Sequence, residues 1–279
     1  KDTVLDVAGN ALVEATNTSV TVDTVNPSVT GMTSDNADGV VSDGDREVTY
    51  TVTFSEAVAG LGGDDIALSD GATLVAGSIA PDNSEGAAPN TYKFKVQAPD
   101  DSTADLVVSI KDTVTDLSGN ALDTTSASVT LAVDSKNPEV ATVVPTPGSA
   151  SDTVNTVAYT VTFSEDVQTL TSADLTIANG SLDTTGLTET SAGSGVYEIP
   201  VVNKEATFAV TADQDSVANI SVTVKDTVLD VAGNALVEAT NTSVTVDTVN
   251  PSVVSIEDNQ SESATLYDGG DAVAYTVTF

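Results

Sequence analysis

Val48-Thr49-Tyr50-Thr51-Val52-Thr53-Phe54 alternates a large apolar side chain with threonine at every step. A period of two puts Val48, Tyr50, Val52 and Phe54 on one face of a pleated strand and the threonines on the other. A helix would scatter the same residues around its circumference. β-Branched and aromatic side chains fit a half-buried pleated surface, so the stretch reads as a strand with one face on a core.

The same words recur. YTVTF stands at Tyr50–Phe54, Tyr159–Phe163 and Tyr275–Phe279. VDTVNP at Val22–Pro27, VDSKNP at Val133–Pro138 and VDTVNP at Val246–Pro251 space Asp23, Asp134 and Asp247 by 111 and 113 residues. D-x-x-x-D-x-x-G-N-A-L runs over Asp2–Leu12, Asp112–Leu122 and Asp226–Leu236. Within this frame the 29 residues Lys1–Val29 return unchanged as Lys225–Val253. Duplication accounts for such identity, and a repeat of this length implies an array of similar units. The expected division is 24–134 and 135–247 as complete repeats. On this reading 1–23 is the tail of a preceding repeat and 248–279 the head of a following one. Both ends fall inside a repeat, so the chain is expected to be a window on a longer array.

Other rows alternate in the same way. Tyr92, Phe94 and Val96 flank Lys93 and Lys95; Leu106, Val108 and Ile110 form a further row, as do Val129, Leu131 and Val133. The second repeat offers Val157, Tyr159, Val161 and Phe163, then Tyr197, Ile199 and Val201, then Ile220, Val222 and Val224. Asp70-Gly71 and Asn179-Gly180 read as hairpin turns. Six or seven short alternating strands per repeat predict an all-β fold of tandem immunoglobulin-like antiparallel β-sandwiches in an elongated array, with under about a tenth helix.

Composition narrows the function. The chain carries 42 Asp+Glu against 8 Lys+Arg, a formal net charge of −34, with no His, no Cys and no Trp. A polyanion cannot neutralise phosphates, which argues against nucleic acid, and no nucleic-acid partner is expected. Without cysteine there are no disulfides or thiolate ligands. Without histidine the commonest general base and transition-metal ligand is missing, and Ser/His/Asp or Cys/His catalysis is excluded. No phosphate-binding glycine loop occurs, and no apolar run reaches the roughly 20 residues of a membrane span. Carboxylates repeated in every unit suit structural ligation better than glycoside hydrolysis, so the chain is expected not to be an enzyme.

The combination V-D-x-x-N-P, then Y-T-V-T-F-S-E-x-V, then D-x-x-G-N-A-L resembles the bacterial Ig-like repeats of giant surface adhesins, of the biofilm-associated and RTX type exported by type I secretion. The resemblance covers the whole chain. It implies an extracellular location on a bacterial cell surface and a role as an extender region, in cell adhesion or biofilm formation, often rigidified by Ca²⁺ at domain junctions. Such repeats also occur in S-layer-like and phage-fibre proteins.

Strand parity gives the calcium reading its residues. In a sandwich the loop after the second strand and the loop before the last strand return to the pole where the first strand begins. Ser55-Glu56 and Ser164-Glu165 follow the second strand, Asp65 and Asp174 precede the third, the D-x-x-x-D-x-x-G-N loops precede the last, and D-x-x-N-P enters the first. The convergent set is therefore Asp23, Asn26, Glu56, Asp65, Asp112, Asp116 and Asn120 in one repeat, and Asp134, Asn137, Glu165, Asp174, Asp226, Asp230 and Asn234 in the next. Calcium takes six to eight such oxygens, and hard oxygen donors without His or Cys favour it over zinc or copper. Each motif alone has a plainer reading: D-x-x-G-N is also an ordinary Asx turn, and the Asp35, Asp38, Asp43 and Asp45 cluster is read as a solvated turn.

Two other roles compete with the extender. One is a glycan- or protein-binding module, which calls for exposed aromatics in loops. The other is a subunit of a self-assembling filament or surface layer, in which copies of the chain complete one another. The expected partners are neighbouring repeats of the same chain and other copies of it.

Overall fold

The computed structural model describes residues 4–13, 19–88, 90–123, 128–237, 241–259 and 272–279. The chain divides into two compact units. Lys1–Gly39, Glu47–Ala98 and Asp105–Leu131 form the first; Val40–Arg46, Pro99–Ala104 and Ala132–Phe279 form the second. The fold is all-β. Helix among the described residues is limited to three single 3-10 turns, Asp43–Asp45, Gly63–Asp65 and Ser172–Asp174.

The strands run in chain order from β1 (Val29–Ser34) and β2 (Val40–Ser42) to β3 (Glu47–Phe54), β4 (Ile66–Leu68), β5 (Thr73–Leu74) and β6 (Ala80–Pro81), then β7 (Thr91–Gln97), β8 (Leu106–Ile110) and β9 (Ser128–Asp134). One sheet is ordered β1-β3-β7-β5, with β6 also on β7; the other is β2-β9-β8-β4. This is the strand order of an immunoglobulin-type sandwich. The alternating stretch Val48–Phe54 lies in β3: Val48, Tyr50, Val52 and Phe54 are buried, and the strand pairs with β7, with Tyr50 opposite Phe94. Their rings stack at 5.5 Å. Leu106, Val108 and Ile110 of β8 are buried in the second sheet.

The second unit repeats the arrangement with β10 (Val140–Thr146), β11 (Ser149–Ser151), β12 (Thr156–Phe163), β13 (Leu170–Thr171), β14 (Leu175–Ala178), β15 (Gly180–Asp183), β16 (Thr188–Glu189), β17 (Tyr197–Ile199), β18 (Val201–Val202), β19 (Glu205–Ala212), β20 (Ile220–Val224) and β21 (Asn241–Asp247). Its sheets are β10-β12-β19-β15, with β18 also on β19, and β11-β21-β20-β14, plus a small sheet β13-β17-β16. Inward residues of both main sheets share one core, including Val157, Tyr159, Phe208, Val210, Ile220, Val222, Val244 and Val246. Tyr159 stacks on Phe208 at 5.7 Å, as Tyr50 does on Phe94. β22 (Ser255–Asp258) and β23 (Tyr275–Thr278) form a separate antiparallel pair.

Three details differ from the sequence expectation. Asp70-Gly71 and Asn179-Gly180 do not close hairpins. β4 pairs with β8 but β5 pairs with β7, and β14 pairs with β20 but β15 pairs with β19, so each turn passes the chain from one sheet to the other. Positive φ at Gly71 and Asn179 is what the dipeptides encode; the next strand's partner is not. The expected row Tyr197, Ile199, Val201 is broken at Pro200, which has no N–H to give a ladder. β19, with Ala206, Phe208, Val210 and Ala212 inward, takes the place beside β12 instead. Finally, the first strand of each sandwich switches sheets. β2 pairs in parallel with Ala132–Asp134, and β11 pairs in parallel with β21.

Candidate metal centre

The D-x-x-G-N loop folds on its own terms. The Asp230 backbone N–H donates to the Asn234 carbonyl at 3.0 Å, and the Gly233 N–H donates to the Asp230 carbonyl at 3.2 Å. Asp230 Oδ1 accepts the Asn234 N–H and Oδ2 accepts Asn234 Nδ2, both at 2.8 Å. Asp116 and Asn120 make the same pair of bonds at 2.8 Å, and Asp6 and Asn10 make them at 2.8 and 2.9 Å. Gly9, Gly119 and Gly233 hold φ near +90° in the turn, a region glycine enters without steric cost. Asp116 and Asp230 are only 2% and 1% exposed. Burial would raise the Asp116 pKa, but the Asn120 amide and the N–H groups of Asn120, Ser118 and Gly119 outweigh it and hold the carboxyl below its ordinary range.

The Ser-Glu step after β3 and β12 splits its two residues between two jobs. Ser55 and Ser28 clasp each other: the Ser28 N–H donates to Ser55 Oγ at 3.0 Å, and the Ser55 N–H donates to the Ser28 carbonyl at 2.8 Å. Ser164 and Glu139 do the same at 2.9 Å in both directions. The clasp ties the incoming chain to the strand end and leaves the glutamate facing the D-x-x-G-N loop. Desolvation, then the charges of Asp23 and Asp116, push Glu56 up. Desolvation, then Asp134 and Asp230, push Glu165 up against the opposing pull of Lys136 and Lys204.

The third element is the aspartate of the incoming chain. Asn234 Nδ2 also donates to the Asp134 carbonyl at 2.8 Å and the Lys136 carbonyl at 3.2 Å. Asn120 Nδ2 reaches the Asp23 carbonyl at 3.3 Å. The outcome among the described residues is two carboxylate triads, Asp23–Glu56–Asp116 and Asp134–Glu165–Asp230, in each of which one oxygen per residue lies within 4.8 Å of the others. Asp134 Oδ1 and Glu165 Oε1 are buried and accept no hydrogen bond from the described residues. Such oxygens are costly without a partner. An all-oxygen, triply anionic pocket with two orphaned acceptors fits a hard divalent cation.

The remaining expected residues stand elsewhere. Asp65 Oδ2 accepts the Gly62 N–H at 2.8 Å and Oδ1 accepts the Thr113 hydroxyl at 2.7 Å. Asp174 accepts from Thr171 N and Oγ1 at 2.9 and 2.7 Å and from Thr227 Oγ1 at 2.6 Å. Both cap a 3-10 turn and pin it to the start of the next loop, rather than joining a triad. Asp112 and Asp226 are exposed and outside the triads, because a D-x-x-x-D spacing of four places the first aspartate before the turn and only the second inside it. Asn26 is exposed and Asn137 half-buried, and neither belongs to a triad. In the cluster read as a solvated turn, Asp35 Oδ1 accepts the Thr49 N–H at 2.8 Å and the Asp43 N–H donates to Asn234 Oδ1 at 2.6 Å. Asp43 thereby supports the same asparagine that organises the second triad, a role its local sequence did not signal.

No family model matches the sequence, and no curated protein matches it. Among solved structures the chain is similar to the adhesin InvE of Yersinia pseudotuberculosis, at 16% identity over 76% of this chain and 58% of that one, with a TM-score of 0.26. It is also similar to S-layer protein SbsC, at 16% identity over 81% of this chain and all of domains 5–6 (TM-score 0.22), and at 17% over 84% of this chain and 34% of domains 4–9 (TM-score 0.23). The chain thus spans about three-fifths of InvE as solved.

Proposed function

We propose that this chain is a structural extender region of a secreted bacterial surface adhesin. Its tandem Ig-like repeats, 24–134 and 135–247, hold a binding tip away from the cell for adhesion or biofilm formation, and calcium stiffens them where each repeat begins. The reading assigns the chain no catalytic role. The observation that carries it is the recurrence of one triad: the aspartate entering each repeat (Asp23, Asp134), the glutamate after YTVTF (Glu56, Glu165), and the buried loop aspartate (Asp116, Asp230). The resemblance of the repeat words to adhesin repeats supplies the location. Three carboxylates provide part of the six to eight oxygens calcium takes, and carbonyls and water complete such shells; extracellular modules work at affinities of about 10⁻⁴–10⁻³ M. Without the cation the three charges repel; with it they bind the entering chain to two loops of the repeat that follows. Isothermal titration with calcium tests the reading. Wild-type chain is expected to take up the ion at both triads, and Glu56→Gln with Glu165→Gln to lose the heat. Equal heats from both proteins would remove calcium from the account.

A further inference from the structure

The two triads are built from the same carboxylates but stand in different charge surroundings. Lys136 follows Asp134 by two residues, where Val25 follows Asp23 and Val249 follows Asp247. Lys204 directly precedes β19, and its carbonyl accepts the Phe163 N–H at 2.9 Å. Asn90 holds that place in the first unit: it directly precedes β7, and its carbonyl accepts the Phe54 N–H at 3.1 Å. The backbone is alike at both positions, with φ of +67° at Asn90 and +66° at Lys204. Asparagine enters that left-handed region readily, and lysine is uncommon there. The second unit therefore carries a lysine where its backbone favours asparagine or glycine.

The Lys204 side chain reaches back to the second triad. Its Nζ donates to the carbonyl of Ser164, the neighbour of Glu165, at 3.1 Å. Lys136 sits on the entering chain, where its own carbonyl accepts Asn234 Nδ2 at 3.2 Å. Both ammonium charges act on Glu165 and oppose the effect of Asp134 and Asp230. Glu56 meets the charges of Asp23 and Asp116 with no opposing cation among the described residues. The lysines lend charge without filling the pocket, because Asp134 Oδ1 and Glu165 Oε1 accept no hydrogen bond from them.

We propose, on the cation reading of the triads, that Lys136 and Lys204 are a built-in countercharge of the second triad, which steadies it without an ion and makes it a weaker calcium site than its carboxylates alone would be. An incoming divalent ion meets three carboxylates at the first triad, and three carboxylates with two ammonium groups at the second. Both lysines are exposed, so water and salt screen their charge. A unit charge roughly 7 Å from a divalent ion in water at physiological ionic strength costs about two- to threefold in affinity, and two such charges about fivefold. The same charges relieve carboxylate repulsion when no ion is bound. The ion-free second unit thus gains stability from the groups that weaken its ion-bound form.

The test isolates each triad within the full 279-residue chain. Glu56→Gln leaves only the second triad complete. In that background Lys136→Val with Lys204→Asn installs the first repeat's residues and should lower the calcium Kd about fivefold in calorimetric titration at fixed ionic strength. Melting in chelator should move the other way, to a lower temperature. Lys204→Arg keeps the charge and should leave the Kd unchanged, and added sodium chloride should narrow the gap between the lysine and lysine-free chains. In the converse background, Glu165→Gln, the substitution Asn90→Lys should weaken the first triad about two- to threefold. Calcium bound with the same Kd after the lysines are removed overturns the countercharge and leaves the cation reading standing. A Kd moved as far by Lys204→Arg as by Lys204→Asn overturns it too, because shape rather than charge then sets the affinity. No calcium uptake by wild type or by any variant overturns both readings.

Discussion

The Asn234 side-chain amide joins Asp134 to Asp230, donating to the Asp134 carbonyl and to Asp230 Oδ2 at 2.8 Å each. A single Nδ2 group thereby fixes the entering chain against the loop that carries the buried carboxylate. The same residue accepts the Asp43 N–H through Oδ1. Asn120 makes only a weaker version, at 3.3 Å to the Asp23 carbonyl, and Asn10 bonds only within its own loop among the bonds described.

Alanine substitutions should follow that order. Asn234→Ala strands buried acceptors and a donor, and should destabilise the second unit by about 3 kcal/mol. Asn120→Ala should cost about half as much, since Asn120 is half-buried and its link to Asp23 is long. Asn10→Ala, in an exposed loop, should leave the melting temperature unchanged. Calorimetric unfolding of the three variants checks the ranking; equal losses would contradict it.

Asp174 gives a pH signature. Burial would raise its pKa, but the Thr227 and Thr171 hydroxyls, the Thr171 N–H and the Lys225 charge bring it below the ordinary value. A carboxyl with a depressed folded pKa stabilises the fold above its unfolded pKa of about 3.9, and that contribution is lost as pH falls through the folded pKa. Asp174→Asn should therefore lower stability at neutral pH and flatten the acid limb of the stability curve. The loss should be the same with calcium or chelator, because Asp174 stands outside the triad. Denaturant titrations from about pH 2 to 7 in both conditions measure it.

Much of this was legible in the residues. The rows Val48–Phe54, Leu106–Ile110 and Ile220–Val224 are buried as alternation predicts, since a period of two leaves a strand one way to hide its apolar side. Glu56, Glu165, Asp116 and Asp230 were readable because strand parity brings their loops to one pole. Asp65 and Asp174 were not separable from ligands, because a carboxylate that caps a turn and one that faces a cation have the same sequence spacing. The sheet-switching turns were hidden for a similar reason: a dipeptide fixes local φ, whereas the partner of the next strand is a long-range choice.

Tyr50 and Tyr159 are fully buried, and neither hydroxyl has a hydrogen-bond partner among the described residues. Desolvation, with a smaller contribution from Asp35, pushes the Tyr50 phenol up to about 12. Deleting an unsatisfied buried hydroxyl removes a desolvation penalty while the ring and its stacking remain. Tyr50→Phe and Tyr159→Phe should each raise stability by roughly 1 kcal/mol. A loss of that size in chemical denaturation would mean the hydroxyls have partners in solution.

Gly180 opens β15 opposite Ala212 of its antiparallel neighbour β19. A Cβ there would lie 2.8 Å from the Thr211 carbonyl oxygen and 3.0 Å from Val210 Cγ1, whereas one at Gly31 would meet nothing within 4 Å. Gly180→Ala should cost about 1–3 kcal/mol through overpacking. Gly31→Ala should be neutral or stabilise by a few tenths of a kcal/mol through the unfolded chain. Thermal melts of the two single variants decide the contrast.

The central claim, that the triads bind calcium, is tested most directly by melting the wild-type chain in chelator and in millimolar calcium at matched ionic strength. At a Kd of about 10⁻⁴ M, millimolar calcium is roughly ten times Kd and stabilises by about 1.4 kcal/mol per site. The account predicts a melting temperature raised by several degrees in calcium, reversed by chelator, not reproduced by monovalent salt, and reduced stepwise by Glu56→Gln and Glu165→Gln. Coincident melting curves in chelator and in calcium would contradict it and leave the carboxylates as a repulsive acidic surface.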